Sequence, residues 1–178
     1  NTFDVDELPI ELICAETEQA GLHDLTAYLR LVDQGQIKIS TTSHRATKGS
    51  IEKILDDLLV GDFLPLPEKY RVTETIRPFG LDVFAQGAGL VSKARGRNEL
   101  QLTKTGRKFY QRQQSEILLE DFETWTQAGR FDELSRISGL KGQKARGTRL
   151  TNPAIRREAF IDSLSWCPVG VLINIQDF

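Results

Sequence analysis

Lys93, Arg95, Arg97, Lys104, Arg107 and Lys108 crowd into one stretch, GLVSKARGRNELQLTKTGRKFY, whose single acid is Glu99. Fixed cations at this density make no bonds themselves; they hold anions, and the planar fork of arginine and the point charge of lysine both suit phosphate oxygens. A second run, Lys141-Gly142-Gln143-Lys144-Ala145-Arg146-Gly147-Thr148-Arg149, carries no acid and reads as a flexible basic arm. Such an arm orders on nucleic acid, or on an acidic surface such as the chain's own N-terminal segment. Arg45, Thr47, Lys48 and Lys53 lie near a third candidate, the start of a helix, where free N–H groups favour a phosphate. Glu52, Asp56 and Asp57 make the rest of that face acidic, so a solvated surface is the expectation there.

Bond-making chemistry has little to work with. The basic loop contains no GxxxxGK[ST], and Gly87-Ala88-Gly89 lacks the third glycine of a dinucleotide fingerprint. The carboxylates lie in acidic runs, and neither His23 nor His44 stands at a motif spacing from a nucleophile. Cys14 and Cys167 are far apart, form no CxxC pair and share no ligand spacing with the histidines, so two buried, inert thiols are expected in place of a zinc site or a disulfide. The chain is therefore expected not to be an enzyme and to need neither metal nor cofactor.

Composition sets the frame for these charges. A length of 178 residues suits one medium domain or two small ones, and 39% hydrophobic residues suffice for a core in each. The formal net charge of −2 hides a segregation. Residues 1–35 hold eight acids against Arg30 alone, whereas 13 of the 23 basic residues fall in the two blocks 93–112 and 141–157. Local fields, not the total, attract anions. No apolar run approaches the roughly 20 residues that span a bilayer, and nothing at the start reads as a signal peptide, so a cytoplasmic protein without a membrane partner is expected. Methionine is absent even at position 1. That is the pattern of a fragment, or of a sequence from which methionines or loops have been omitted, across which only spacings inside short segments hold.

Those segments must position the cations. Residues 1–21 are acidic, contain Pro9 and read as an arm packed on the body. Leu22, Leu25, Leu29 and Val32 then place a stripe on one face of a helix ended by Gly35. Ile37-Lys38-Ile39-Ser40 predicts a short strand. Thr47 is a candidate N-cap for a helix in which Ile51, Ile54, Leu55, Leu58 and Leu59 keep the i, i+3, i+4, i+7, i+8 spacing of a core-facing stripe. After a long connection over 61–77, Pro78 opens a third helix, Phe79 to about Gln86, with Phe79, Val83 and Phe84 inward. Leu90-Val91-Ser92 and Glu99-Leu100-Gln101-Leu102-Thr103 alternate as two strands around the turn residues Arg95-Gly96-Arg97-Asn98, and Thr103 or Thr105 can cap the helix that follows. A second unit, 114–178, starts with a helix bearing Ile117, Leu118, Phe122 and Trp125. It continues through Phe131, Leu134 and Ile137, through Asn152-Pro153 and a helix with Ile155, Phe160, Ile161 and Leu164, to a strand at 171–175.

The hairpin ending in LTKTGR resembles the wing of winged helix-turn-helix proteins, where "LTxxGR" is a recurring form. The order helix, strand, helix, helix, hairpin, helix over 22–113 resembles such a domain. The resemblance implies a mainly α protein with small β-hairpins, α+β in class, with a winged-helix domain at 22–113 and a second winged-helix-like unit, incomplete in extent, at 114–178. Over most of its length the sequence is also similar to a group of uncharacterised bacterial proteins, through HDLTAYLRLVDQGQIKIS, LQLTKTGRKF, FDELSRISGLKGQK and CPVGVLINIQDF. That likeness implies a bacterial origin and supplies no catalytic residue.

DNA binding through the basic wing and backbone contacts is the resulting expectation, within a bacterial regulatory or DNA-transaction assembly, with RNA as the related ligand. Lys93, Arg95, Arg97, Lys104, Arg107, Lys108, Lys141, Lys144, Arg146 and Arg149 are the candidate contacts. In the third helix only Gln86 suits a base edge, so base readout there is not expected. The rival is a winged-helix adaptor for protein–protein interaction, or a homodimer, built on the acidic arm, the apolar third helix and Trp125 or Trp166.

Overall fold

The computed structural model describes residues 15–63, 65–109, 111–112, 114–129, 131–136 and 151–168. The first helix, α1 (Ala15–Asp33), starts a full seven residues before the stripe at Leu22. Residues 15–21 are rich in good helix formers, so propensity extends the helix where no apolar periodicity marks it. The part of the acidic arm at 1–14 lies outside the described residues. Gly35 ends α1 in the left-handed region (φ +68°). Its N–H donates to Val32 O at 2.9 Å and that of Gln36 to Leu31 O at 2.9 Å, which satisfies two of the helix's last carbonyls.

The chain then lays Ile37–Ile39 against the hairpin through an antiparallel bridge between Lys38 and Glu99. Helix α2 (Lys48–Asp57) buries Ser50, Ile51 and Ile54. Thr47 stands at the N-cap but its hydroxyl makes no capping bond; it meets the Ser50 hydroxyl at 3.1 Å. Ser50 in turn accepts from Lys38 N–H at 2.8 Å and donates to Lys38 O at 3.0 Å, so one serine rivets α2 to the strand segment.

The connection between α2 and α3 (Arg77–Gly87) has a task. Asp62 accepts from the N–H groups of Ile76 at 2.9 Å and Arg77 at 2.8 Å, capping α3 from outside the helix. Pro78 occupies its first turn, as the sequence predicts. Strands β1 (Val91–Lys93) and β2 (Leu100–Leu102) pair antiparallel, Val91 opposite Leu102 and Lys93 opposite Leu100. Helix α4 (Lys104–Phe109) closes the hairpin.

Leu25, Tyr28 and Leu29 of α1, Ile51 and Ile54 of α2, and Leu90, Leu100 and Phe109 around the hairpin form one buried cluster. Helix α5 (Gln114–Thr126) adds Ile117 to the same cluster. Phe79, Val83 and Phe131 form a smaller one. Asn152 caps α6 (Pro153–Ser165), its side chain accepting from Ala154 N–H at 3.0 Å.

Among the described residues, then, six α-helices and a small two-stranded antiparallel sheet make an α+β fold. The expected strand at 171–175 lies outside them. No helix among them is long and apolar enough to cross a membrane.

Helix α6 does not pack as its apolar residues suggest. Ile155, Phe160 and Leu164 are exposed, and the residue it buries is Arg157. Arg157 donates to Trp125 O at 2.8 Å, Ala128 O at 2.5 Å, Phe131 O at 2.8 Å and Glu133 Oε1 at 2.5 Å. Its guanidinium also stacks on the Trp125 ring, 4.5 Å from the centroid. Among the described residues, polar bonds from Arg157 to Trp125 of α5 and to Ala128, Phe131 and Glu133 after it tie α6 to the rest of the fold.

Candidate nucleic-acid interface

The hairpin is fixed to the body at the base of its tip, where Ile39 N–H donates to Asn98 O at 2.9 Å. Ala94 is buried at the base of the tip, and Arg97 N–H donates to Ala94 O at 3.3 Å across a turn in which Gly96 takes φ +72°. The turn therefore throws Arg95, Arg97 and Asn98 into solvent. At the hairpin's foot, Thr103 donates its hydroxyl to Gly89 O at 2.7 Å and accepts from Gly106 N–H at 3.1 Å. Thr103 thus caps α4, one of the two threonines expected to do so. Gly106 explains the glycine of LTKTGR: a Cβ there would collide with the Leu90 carbonyl oxygen, so only glycine lets α4 sit on the start of β1.

Lys104, Arg107 and Lys108 share one face of α4 at i, i+3 and i+4 spacing, and all three are exposed. Lys93, Arg95 and Arg97 gather at the tip end. Lys93 lies opposite Leu100, two residues before the end of β2, whereas Arg95 and Arg97 lie beyond the strands in the turn.

Five of the six cations, Lys93, Arg95, Lys104, Arg107 and Lys108, form no ion pair with any carboxylate among the described residues. Arg97 does: its Nη1 lies 2.7 Å from Glu99 Oε1, while Lys38 Nζ holds Glu99 Oε2 from the neighbouring strand segment. The hydrogen bond from Lys38, then the charges of Arg97 and Lys38, hold the Glu99 carboxyl below the usual carboxylate range. Lys141, Lys144, Arg146 and Arg149 lie outside the described residues.

Other basic groups are engaged inside the molecule. Arg112 pairs with Glu120 at 2.8 Å and Arg156 with Asp132 at 2.6 Å. At the start of α2, Arg45 lies 4.9 Å from the centre of the Phe79 ring and Lys48 4.7 Å from that of Tyr70. Those contacts hold Arg45 and Lys48 against the protein, while Lys53 is exposed.

The third helix differs from its sequence reading at one residue. Gln86, the single side chain there suited to a base edge, is buried, and its amide donates to His44 O and to Asp82 Oδ1, both at 3.0 Å. Asp82 is the hub of this network. It also accepts from Tyr28 O–H at 2.8 Å and from Ala46 N–H at 3.0 Å, joining α1, α3 and the strand segment. Burial pushes the Asp82 carboxyl up despite these bonds, and burial followed by the nearby Asp82 charge pushes the Tyr28 phenol up. Sequence reasoning missed this hub because its members lie 54 and 36 residues apart, with no periodic signal between them.

Arranged this way, the surface can hold a polyanion along its backbone. No family model, curated protein or solved structure matches the chain.

Proposed function

We propose that residues 22–113 act as a winged-helix unit that binds DNA through the hairpin and α4, with the 114–178 segment as a second such unit, in a bacterial regulatory or DNA-transaction assembly. One observation carries the reading: the five unpaired cations stand exposed at the two ends of a short rigid hairpin. Cations without an internal partner have paid no desolvation cost and are available to displace counterions from phosphates. Lys141, Lys144, Arg146 and Arg149 join the proposal on sequence grounds, as an arm that would add further phosphate contacts.

The test is a DNA titration of the wild-type chain and of a variant carrying Arg95→Ala, Arg97→Ala, Arg107→Ala and Lys108→Ala, at about 50 mM and about 200 mM salt. The variant should bind more weakly and with a flatter salt dependence. Equal affinity and equal slope would remove the wing as the contact surface.

A second reading, a protein-binding adaptor or homodimer, is favoured by a different observation. Ile155, Phe160 and Leu164 on α6 are exposed, and Trp166 beyond it is 88% exposed. An adaptor would show weak DNA binding, indifferent to the four wing substitutions.

A further inference from the structure

We infer that the DNA bound is double-stranded and that it is bound without regard to base sequence; the inference rests on the DNA-binding reading above. The reason is the placement of α3, the helix on which base readout would depend. Its inner face buries Phe79, Asp82, Val83, Ala85 and Gln86, and its only two uncharged-amide or carboxylate side chains, Gln86 and Asp82, are bonded to each other and to the core. Its opposite face is covered by α5. Phe84 packs against Trp125 with ring centroids 6.2 Å apart, and a Cβ at Gly87 would lie 2.7 Å from Trp125 Cδ1.

What α3 leaves at the surface is Gly80, flanked by half-buried Arg77 and Leu81. Arg77 is turned to Asp24, 3.7 Å away, and lies 4.3 Å from the centre of the Phe63 ring. Arg77 is thus the one side-chain donor α3 keeps outside the Asp82–Gln86 network, and it is half-buried against Asp24 and Phe63, so the helix has no exposed donor or acceptor for the edges of base pairs in a major groove. The hairpin tip supplies Arg95, Arg97 and Asn98, and a tip in the minor groove meets only its degenerate pattern. Contacts to phosphates fix position and carry no sequence information.

The strand count follows from a second absence of chemistry. Proteins that hold single strands stack bases on exposed aromatic rings. Among the described residues of the hairpin and α4, the exposed side chains are cationic, amide or hydroxyl, and the one aromatic ring, Phe109, is buried. The two cation trios suit phosphate oxygens and include no aromatic ring for an unstacked base to lie on.

Fluorescence anisotropy of the full chain with four labelled probes tests this: a mixed-sequence duplex, an all-A·T duplex, an all-G·C duplex and a thymine-only single strand. The three duplexes should bind with dissociation constants within about threefold of one another and with a common salt slope, and the single strand at least about tenfold more weakly. Gly80→Glu adds a negative charge at the exposed point of α3, where a Cβ has open space around it. It should leave duplex affinity within about threefold, whereas Arg95→Glu should weaken it about tenfold or more. A spread above tenfold among the duplexes, a tighter single strand, or a tenfold loss in Gly80→Glu overturns the inference while leaving DNA binding intact. No binding to any probe at low salt overturns the DNA-binding reading itself, and the inference with it.

Discussion

Glu99 lies 2.7 Å from Arg97 across the foot of the hairpin tip and at the same time takes the ammonium of Lys38, so the only acid between residues 89 and 110 is shared by two cations. Arg97 nevertheless keeps a side chain 72% exposed, which leaves it able to exchange this carboxylate for a phosphate.

Glu99→Gln should therefore strengthen DNA binding. It removes one negative charge from the contact surface and keeps an acceptor for Lys38. The salt slope should steepen by about 0.9, the value for one more neutralised phosphate. A slope unchanged from wild type in the salt titration would show that Arg97 never leaves the protein. Because the Glu99 carboxyl is held below its ordinary value, the stability it contributes is present above that value and lost only as pH falls through the depressed one. Between about pH 5 and pH 8 the affinity should thus be free of any step from this group.

Gly106→Ala should destabilise the protein by about 1–3 kcal/mol, since a methyl group there meets the fixed Leu90 carbonyl oxygen and not a movable side chain. Chemical denaturation checks it. A midpoint equal to that of wild type would mean that α4 shifts freely on β1, contrary to the packing.

Arg157→Ala should cost about 3 kcal/mol or more, because the carbonyls of Trp125, Ala128 and Phe131 lose one shared donor. Hydrogen exchange should report the loss first in α6 and at the end of α5. Arg157→Lys places a charge nearby without the fork, and should recover less than half of the loss.

Asp121 on α5 is buried, and its Oδ2 has no hydrogen-bond partner among the described residues. Burial, reinforced by Glu120 and opposed by Arg112, pushes its carboxyl from 3.8 up to about 6. The folded state binds this proton more tightly than the unfolded state, so stability is full below the lower value and declines as pH rises through about 6. Asp121→Asn should flatten that decline and raise Tm at neutral pH. Thermal melts from pH 4 to pH 7 compare the two proteins; parallel curves would assign the pH dependence to another group.

Much of this architecture was legible in the sequence, for reasons that differ by element. Ile51 and Ile54 repeat at helical spacing, so periodicity alone marks α2. The hairpin carries its own turn residues and a cap, all within 15 residues of one another. Asn152-Pro153 is a local start signal, and Asn152 caps α6 with Pro153 in its first turn. What the sequence hides are interactions that span the chain. Gln86 looks like a free amide until His44 and Asp82 are placed beside it. Ile155, Phe160 and Leu164 are the apolar residues that mark α6 in the sequence, yet the side chain that α6 buries is Arg157, which shares a face with Phe160 and Leu164. The covering of α3 by α5 leaves no trace but Gly87, whose missing side chain makes room for Trp125.

Thr103 ties the two feet of the hairpin together, and Leu100 and Leu102 point inward from the strand beside it. A slide by one residue would turn both leucines to water and Gln101 toward the core, so the register is locked. The charges at the tip are thus set at a fixed separation before any anion arrives, like teeth on a comb. Little backbone freedom would remain to be surrendered on contact with a polyanion, and affinity would then be governed by how well the spacing of the ligand's charges matches that of the teeth.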